Sequence, residues 1–280
     1  MGNSKAVQSV QQNVGHADSS SWESPSLTLV IPAYNEAPRI TETVREAIAW
    51  LTGQSFVAEL IVVDDGSDDA TPALAERAMS GYPGGRVIRI DHGGKAAAVR
   101  TGMLEATTDQ IAFSDADLAT PLTYLTDLRT AVAKGCDIAI GSREGVGARR
   151  IGEPPYRHIM GRVFNWLVRL LLVPGVHDTQ CGFKLFRTEV ARDLLHRSRL
   201  YRDQALIISG PRVTAFDVEL LTIARLNGYR ICSVPVVWHY GEGSKVRPAR
   251  DTWHNVRDVL NVWIDARRDR YCESEAGSRE

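Results

Sequence analysis

Short apolar runs alternate with longer segments of helical spacing through about the first half of this chain. The runs read LTLVIPAY, AELIVVDDGS, GRVIRID, QIAFSDADL and CDIAIGSR, and their length and polar boundaries are typical of buried strands. After the first run, Ile40, Val44 and Ile48 share one face of a helix. This alternation predicts an α/β fold with a mostly parallel central sheet, right-handed crossovers and flanking helices.

The second half of the chain has a less regular pattern. YRHIMGRVFNWLVRLLLVPG predicts an amphipathic helix, DTQCGFKLFR a short strand, YRICSVPVVWHY another strand, and YRDQALIISGPR an inserted loop. We therefore predict one domain in two halves, between two tails. The predicted ranges are a disordered N-terminal tail over 1–25, a nucleotide-sugar-binding half over 26–143, an acceptor-binding half over 144–271 and a flexible tail over 272–280.

Composition narrows the classes of function. With 280 residues, 44% of them hydrophobic, the chain can bury a sizeable core, and its net charge of −1 gives no case for a nucleic-acid polymer as partner. No apolar stretch is long enough to span a bilayer, and the N-terminus lacks the apolar region of a signal peptide. Cys136, Cys181, Cys232 and Cys272 form no CxxC pair, which predicts buried thiols and a cytoplasmic location rather than disulfides or zinc.

Two acidic pairs follow predicted strands. Asp64 and Asp65 end the second, and Asp115 and Asp117 come just after the fourth, so both pairs fall at the ligand-binding edge of a parallel sheet. A single acid there is usually a turn residue or helix cap, but two converging pairs favour a site. Asp115 and Asp117 match a DxD pair, which binds Mg²⁺ or Mn²⁺ through oxygen ligands and so neutralises a diphosphate leaving group. The turn DHGGKAAAVR fits neither a dinucleotide fingerprint nor a P-loop.

Eight motifs, taken in order, resemble family-two glycosyltransferases of the GT-A fold: VIPAYNE, VVDDGSDDAT, GGKAAAVRTGM, SDADLATP, IGSR, DTQCGFKLF, AFDVELL and GEGSK. Within that family the chain looks most like the dolichyl-phosphate (polyprenyl-phosphate) glucosyltransferase and mannosyltransferase group, and the last three motifs tilt toward the glucosyl branch. The resemblance covers residues 27–248. It implies a metal-dependent, inverting enzyme that moves a hexose, with glucose from UDP-glucose preferred, to a polyprenyl or dolichyl phosphate.

The resemblance also assigns donor-side residues. Asp115 and Asp117 would hold the metal, and because Ala119 cannot complete the ligand set, His239 is the candidate for a third ligand. A structural role for His239, a helix-capping role for Asp65 and a solvated position for Lys95 stay open. The nucleotide-sugar contacts it implies are Pro32, Tyr34, Glu36, Asp64, Asp65, Lys95, Asp115, Ala116 and Asp117.

On the acceptor side the resemblance points to basic residues. The acceptor contacts it implies are Arg143, Gln180, Ser244 and Lys245, and Arg143 and Lys245 are also predicted to act in catalysis; a solvated basic loop is the alternative. Asp217 is the third candidate catalytic residue, as a general base, as a group that orients cations, or as a structural acid.

Two rival functions remain open. The same fold could pass the sugar to a soluble small-molecule or sugar hydroxyl with Asp217 as the base. A non-catalytic nucleotide-sugar-binding protein is the other rival, against which the DxD pair and the basic residues argue. Contact with a membrane surface is a further hypothesis. It rests on apolar residues that either meet the bilayer beside Arg162 and Arg169 or pack on the core: Phe164, Trp166, Leu167, Leu170 and Leu171.

Overall fold

A seven-stranded sheet forms the centre of the protein in the computed structural model, which describes residues 24–200, 215–241 and 248–272. Its strand order is β3-β2-β1-β4-β7-β5-β8, and β6 and β9 form a second, two-stranded sheet. The strands are β1 Leu27–Ala33, β2 Ala58–Asp64, β3 Gly85–Arg89, β4 Gln110–Ser114, β5 Ile138–Ser142, β6 Arg149–Ile151, β7 Phe183–Arg187, β8 Ile231–Pro235 and β9 Val237–His239.

Helices cover both faces of this sheet, so the single-domain α/β prediction is confirmed. They are α1 Ile40–Thr52, α2 Thr71–Met79, α3 Lys95–Glu105, α4 Leu125–Ala133, α5 Pro155–Leu171, α6 Thr188–Arg197, α7 Phe216–Leu226 and α8 Pro248–Arg267. Every residue of β1 and β4 is buried, which explains why those runs are apolar without alternation. Among the described helices, none has both the length and the apolar character needed to cross a membrane.

Strand β7 is antiparallel to both of its neighbours. It pairs with β4 on one side and with β5 on the other, whereas the remaining contacts of the main sheet are parallel. The sequence predicts this strand but not its direction. Phe183, where β7 begins, pairs with Ser114, where β4 ends, so the loop before β7 arrives at the edge where the other strands finish. Strands from both predicted halves belong to the same sheet. The boundary at residue 143 therefore stays a prediction about which part binds the donor and which the acceptor.

The run YRICSVPVVWHY forms two strands rather than the single predicted one. It breaks at Val236, where the chain leaves the main sheet, and β9 then pairs with β6 in the basic segment. The His239 amide donates to the Ala119 carbonyl over 2.8 Å, which places the end of β9 against the DxD turn.

The prediction of four buried thiols is correct for Cys181 alone. Cys136 and Cys232 form a disulfide with their Cα atoms 6.0 Å apart, whereas Cys181 is a buried thiol and Cys272 an exposed one. β5 and β8 are neighbours, with Ile138 opposite Ile231, and this pairing brings together two cysteines 96 residues apart. That separation hides the pair from any reading of local spacing.

Candidate active site

The carboxyl ends of adjacent parallel strands bring together the predicted donor-side residues. Tyr34 follows β1, Asp64 ends β2 and Asp115 follows β4, and these three strands are neighbours in the sheet. Ligands of open α/β sheets bind at this edge, so their position suits a donor site. Pro32 differs from them, because it is buried within β1 rather than placed beyond the end of the strand.

A cleft of about 620 Å³ lies beside the ends of β2 and β3. His92 lines it and stacks on Tyr34, with the ring centroids 4.0 Å apart and the planes tilted by only 11°. Flat aromatic groups at a polar cleft suit the stacking of a nucleobase. The lining residues are Gly66, Ser67, Arg89, Ile90, Asp91, His92 and Ala97.

Asp64 and Asp65 play different parts at the end of β2. The Asp65 carboxylate accepts hydrogen bonds from the Gly93 and Gly94 amides at 2.8 and 2.9 Å, so it holds the glycine-rich turn that starts α3. Burial raises the pKa of Asp65, and the Gly93 hydrogen bond opposes that rise. Asp64 is fully buried, and its Oδ1 atom has no hydrogen-bond partner among the described residues. Asp64 is therefore the better candidate acceptor for a base N–H.

Glu36 and Ala116 make framework contacts at the same edge. The Glu36 carboxylate lies 3.0 Å from Arg39 Nε, and its amide donates to Thr71 Oγ1 over 2.8 Å. The Ala116 carbonyl accepts a 2.6 Å hydrogen bond from Thr43 Oγ1 on α1. These contacts fix the turns that surround the donor cleft, and direct contact of either residue with a nucleotide sugar stays a prediction.

Lys95, Asp115 and Asp117 form a charged cluster in the middle of the edge. Lys95 stands at the first position of α3 and makes an ion pair with Asp115, and both side chains remain more than one-third exposed. Burial raises the pKa of Asp117, and the neighbouring charge of Asp115 raises it further. Burial acts to lower the pKa of Lys95, but the carboxylates of Asp115 and Asp217 outweigh it and raise that pKa.

The two carboxylates suit a divalent cation. Their oxygens are the ligand type that Mg²⁺ and Mn²⁺ prefer, and a cation between them would relieve the repulsion that raises the pKa of Asp117. The described residues contain no preformed group of three or more His, Cys, Asp or Glu side chains arranged around a metal. The exposed His239 contributes its backbone to the Ala119 turn, so its role as a third ligand stays a prediction.

Gly182, just before β7, allows the closest approach in the site. A Cβ atom at this position would lie 2.1 Å from Asp115 Oδ2, so any larger residue would displace the Asp115 carboxylate. Gly241 approaches the other acid, with its hypothetical Cβ 3.4 Å from Asp117 Oδ2. The loops before β7 and after β9 therefore both pack against the DxD pair.

On the acceptor side, Arg143 is locked by a residue that sequence reasoning missed. Its Nε and Nη2 atoms donate to the two oxygens of Asp178 at 2.7 and 2.8 Å, and its amide donates to the same carboxylate at 2.9 Å. Burial opposes the charge of Asp178, but Arg143 outweighs that effect and lowers the pKa of Asp178 to about 2. This bidentate geometry leaves Nη1 of Arg143 for another anion.

Asp217 is also paired. It lies in the first turn of α7, and its Oδ1 atom is 3.0 Å from Nζ of Lys184 on β7, although that approach does not give a well-directed hydrogen bond. Lys184 is 1% exposed and also donates to the Cys181 carbonyl over 2.5 Å. The signal that sequence reasoning missed is a lysine inside the apolar run FKLF, since a lysine is rarely buried without a partner.

Two aromatic residues lie between two arginines on the predicted acceptor side. The Arg143 guanidinium lies 5.3 Å from the Trp238 ring centroid, and the Trp238 and Tyr240 rings are 5.9 Å apart. The Tyr240 hydroxyl is 2.7 Å from Nη1 of Arg157 on α5. We call Arg143, Trp238, Tyr240 and Arg157 the arginine–aromatic row; it joins the end of β5 to the beginning of α5.

For the three other predicted acceptor residues, the structure gives little or no information. Gln180 is partly exposed in the loop between Asp178 and β7, close in sequence to both. Ser244 and Lys245 lie outside the described residues, so their predicted roles stay predictions.

Fold and site together define a nucleotide-sugar-dependent glycosyltransferase with the GT-A fold. The family model "Glycosyl transferase family 2" matches residues 28–195, which is more than half of the chain, and the chain belongs to that family. This confirms the membership that the ordered motifs predict.

The chain is similar to named relatives over most of its length. It is 36% identical over 259 residues to the dolichyl-phosphate beta-glucosyltransferase of Drosophila melanogaster, covering 86% of this chain and 76% of the relative. The Homo sapiens enzyme of that name is 34% identical over 258 residues, with the same coverage. Among solved structures, glucosyl-3-phosphoglycerate synthase from Mycobacterium tuberculosis, in complex with Mn²⁺, UDP-glucose and phosphoglyceric acid, superposes with a TM-score of 0.57 at 19% identity over 90% of this chain and 82% of that one. At that identity the structure supports the fold alone.

Proposed function

We propose that this protein transfers glucose from UDP-glucose to dolichyl phosphate, with inversion at the anomeric carbon and with Mg²⁺ or Mn²⁺ bound. The named relatives, which match at 34–36% identity over 86% of the chain, support the sugar and the acceptor. The geometry adds an argument about the acceptor that names alone do not supply.

The pairing of Asp217 with Lys184 carries this argument. Transfer to a hydroxyl group needs a general base to remove its proton, and Asp217 is the residue that the sequence offers for that task. In the structure Asp217 is buried and its Oδ1 atom lies 3.0 Å from the Lys184 ammonium, so this carboxylate oxygen faces an internal cation. A phosphate oxygen is already anionic and needs no base, so this arrangement favours a phosphate acceptor.

On the donor side, the nucleotide would lie in the cleft beside β2 and β3. The stacked Tyr34 and His92 rings offer a surface for the base, and the unpartnered Asp64 Oδ1 can accept the N3–H of uracil. That atom is compatible with a uridine nucleotide, but guanine N1–H is a donor of the same kind, so the acceptor alone does not choose between the two bases. The diphosphate would then extend toward the Lys95 ammonium and the start of α3.

Asp115 and Asp117 would hold the divalent cation. When bound, the cation would neutralise the negative charge that develops on the diphosphate as UDP departs. Lys95 adds positive charge beside the same oxygens, because its ion pair with Asp115 is exposed enough to open toward a ligand.

In the proposed step, an oxygen of the acceptor phosphate attacks the anomeric carbon from the face opposite the diphosphate. The bond between that carbon and the diphosphate oxygen breaks, and its electron pair leaves with UDP, so no proton moves. Arg143 would orient the acceptor phosphate through its remaining guanidinium edge, with Gln180, Ser244 and Lys245 as further predicted contacts.

Matched acceptors test this proposal. Labelled UDP-glucose with Mn²⁺ should give a glucolipid with dolichyl phosphate, and none with dolichol, which has the same chain but a free hydroxyl. GDP-mannose in place of UDP-glucose should give little product. Equal transfer to dolichol, or none to dolichyl phosphate, would contradict the proposed acceptor.

A paired substitution separates the two roles of Asp217. Lys184→Met/Asp217→Asn removes both charges together and so avoids leaving one buried charge alone. We expect transfer to dolichyl phosphate to stay within about tenfold of the wild type, because no base is needed. Removal of a general base would lower the transfer rate about 100- to 10,000-fold. A loss of that size would favour the rival function, in which a small-molecule or sugar hydroxyl is the acceptor.

The proposed acceptor places the reaction at a membrane surface. The predicted cytoplasmic location stays a prediction, and the Cys136–Cys232 disulfide removes the argument that buried thiols gave for a reducing compartment.

A further inference from the structure

The outward face of α5 carries a continuous row of large apolar side chains. They are 40% to 66% exposed, and at about 100° per residue they fall within an arc of roughly 120°. Apolar residues scattered singly need no explanation, but a contiguous patch marks an interaction surface. We call this set the outer face of α5: Tyr156, Ile159, Met160, Val163, Trp166 and Leu170.

The sequence identifies this helix but not the direction in which its apolar residues point. Phe164 and Leu171, both assigned to a membrane contact on the sequence alone, pack against the protein core, whereas Trp166 and Leu170 are exposed as that hypothesis requires. Packing on the core therefore holds for Phe164 and Leu171, and membrane contact stays a hypothesis for Trp166 and Leu170.

The inner side of α5 is tied to the acceptor site. Asn165 is buried, and its Oδ1 atom accepts from the Thr179 amide at 3.2 Å and from the Thr179 hydroxyl at 3.0 Å. Thr179 follows Asp178, which holds Arg143. The helix thus keeps a fixed orientation relative to the acceptor arginine while its apolar row faces outward.

The charges of α5 are all of one sign. The helix contains Arg157, Arg162 and Arg169, and no Asp or Glu. Helical geometry places Arg162 and Arg169 along one edge of the outer face. Arg162 is exposed there and can extend to anionic headgroups, whereas Nε of Arg169 is buried. An apolar row with cationic flanks, and with Trp and Tyr at its margins, complements the surface of an anionic bilayer.

We infer that the outer face of α5 rests on an anionic lipid bilayer, with the helix axis in the membrane plane. The inference builds on the proposed function, because dolichyl phosphate is a membrane lipid. The arginine–aromatic row then runs from Arg157, on the membrane-facing helix, to Arg143 at the reaction site. Leu260 and Ile264 on α8, which contacts α5, add exposed apolar surface beside it.

Vesicle sedimentation tests this surface without any glycosyl transfer. The full chain is mixed with phosphatidylcholine vesicles, with or without phosphatidylserine, that contain no polyprenyl phosphate. We expect the protein to sediment with the anionic vesicles and to be released by salt. Because binding is measured without acceptor or donor, a failed sugar transfer and a failed membrane contact remain distinguishable.

Substitutions at exposed positions locate the contact. Trp166→Glu/Leu170→Glu should weaken vesicle binding by about 100-fold or more, since each buried apolar side chain contributes roughly tenfold or more. The matched control Val57→Glu/Leu104→Glu changes two exposed apolar residues elsewhere and should bind as the wild type does. Arg162→Gln should weaken binding to anionic vesicles by about fivefold and leave binding to neutral ones unchanged.

Three outcomes would overturn the inference. They are a wild type that stays in the supernatant, a Trp166→Glu/Leu170→Glu variant that binds like the wild type, and a control that loses binding equally. A different set of results would identify the face as an interface between two copies of the chain. In that case the wild type is a dimer in analytical ultracentrifugation, the same two substitutions make it monomeric, and the protein does not bind vesicles. Circular dichroism melting of each variant confirms that it is folded.

Discussion

Two ion pairs at one edge of the sheet differ in how deeply they are buried. Lys95 and Asp115 both keep more than a third of their side-chain surface exposed, whereas Asp178 is fully buried and the Arg143 side chain only 16% exposed. Water screens the first pair, so a ligand can open it at little cost, while the second has hydrogen bonds at both oxygens and must stay intact. The exposed pair is suited to exchange partners during a reaction, and the buried pair to keep its geometry.

Lys184 and Asp217 form a second buried ion pair. On the donor side, charge is left accessible beside the cleft; on the acceptor side, it is paired within the protein. Under the proposed function, such a site would bind its exchangeable diphosphate and metal with one set of residues and orient the acceptor with another. The following predictions set the two kinds of pair against each other.

The largest effect is expected from breaking the buried pair. Asp178→Asn leaves Arg143 buried without its partner and should lower the free energy of unfolding by about 3–5 kcal/mol, as measured by urea denaturation. Asp115→Asn, the same change in the exposed pair, should cost no more than about 1 kcal/mol. Equal losses in the two variants would show that burial does not separate the pairs.

Turnover should depend on the exposed acids, whose substitution is expected to change stability little. Asp115→Asn and Asp117→Asn should each lower kcat by about 100- to 1000-fold, because charge on the departing diphosphate loses its stabilisation. Thermal melting should stay close to that of the wild type. Variants that keep full kcat would contradict the role of these acids, and added Mn²⁺ in excess should not restore either one.

A single methyl group tests the position of Asp115. Gly182→Ala puts a Cβ atom where the Asp115 carboxylate now lies, and we expect a 10- to 100-fold loss of kcat from the displaced ligand. Asp115 is exposed enough to move aside, so stability should change little. Gly161→Ala is the matched control, because a Cβ atom there meets nothing within 4 Å; it should keep kcat and gain about 0.5–1 kcal/mol of stability in its helix.

The smallest effect concerns pH. The pKa of Asp178 is lowered to about 2 from its ordinary value of 3.8, so its contribution to stability is complete above the ordinary value and is lost as the pH falls toward 2. The advantage of the wild type over Asp178→Asn should therefore narrow by about 1 kcal/mol between pH 7 and pH 3. An advantage that stays constant over this range would mean that Asp178 keeps its ordinary pKa.

Local patterning was enough to predict the parallel strands and the edge on which the acids meet. β1, β2, β4 and β5 follow directly from short apolar runs, and Asp64 and Asp115 from their places at the ends of such runs. An acid after a strand is usually a turn residue or helix cap, and the DxD pair stands out because a second acidic pair falls at the same edge.

Features that depend on distant residues escaped prediction. The direction of β7, the partners of Asp217 and Arg143, and the disulfide all join residues more than 30 positions apart. Periodicity is a local signal and cannot report which distant side chain meets a buried charge. For α5 the periodicity gave the helix, but the choice of which residues face the core depended on Asn165 and its contact with Thr179.

The reversed strand β7 has a consequence for the order in which this protein can assemble. In the described sheet β4 and β5 are not paired with each other; β7 lies between them and pairs with both. A growing chain that has reached residue 142 has made both strands and the helix α4 between them, but it lacks the strand that pairs with both, and β7 pairs with a strand completed some 70 residues earlier. Such long-range closure is slow. The two acids and Arg143 are therefore brought to one edge late, when Phe183–Arg187 pairs between β4 and β5.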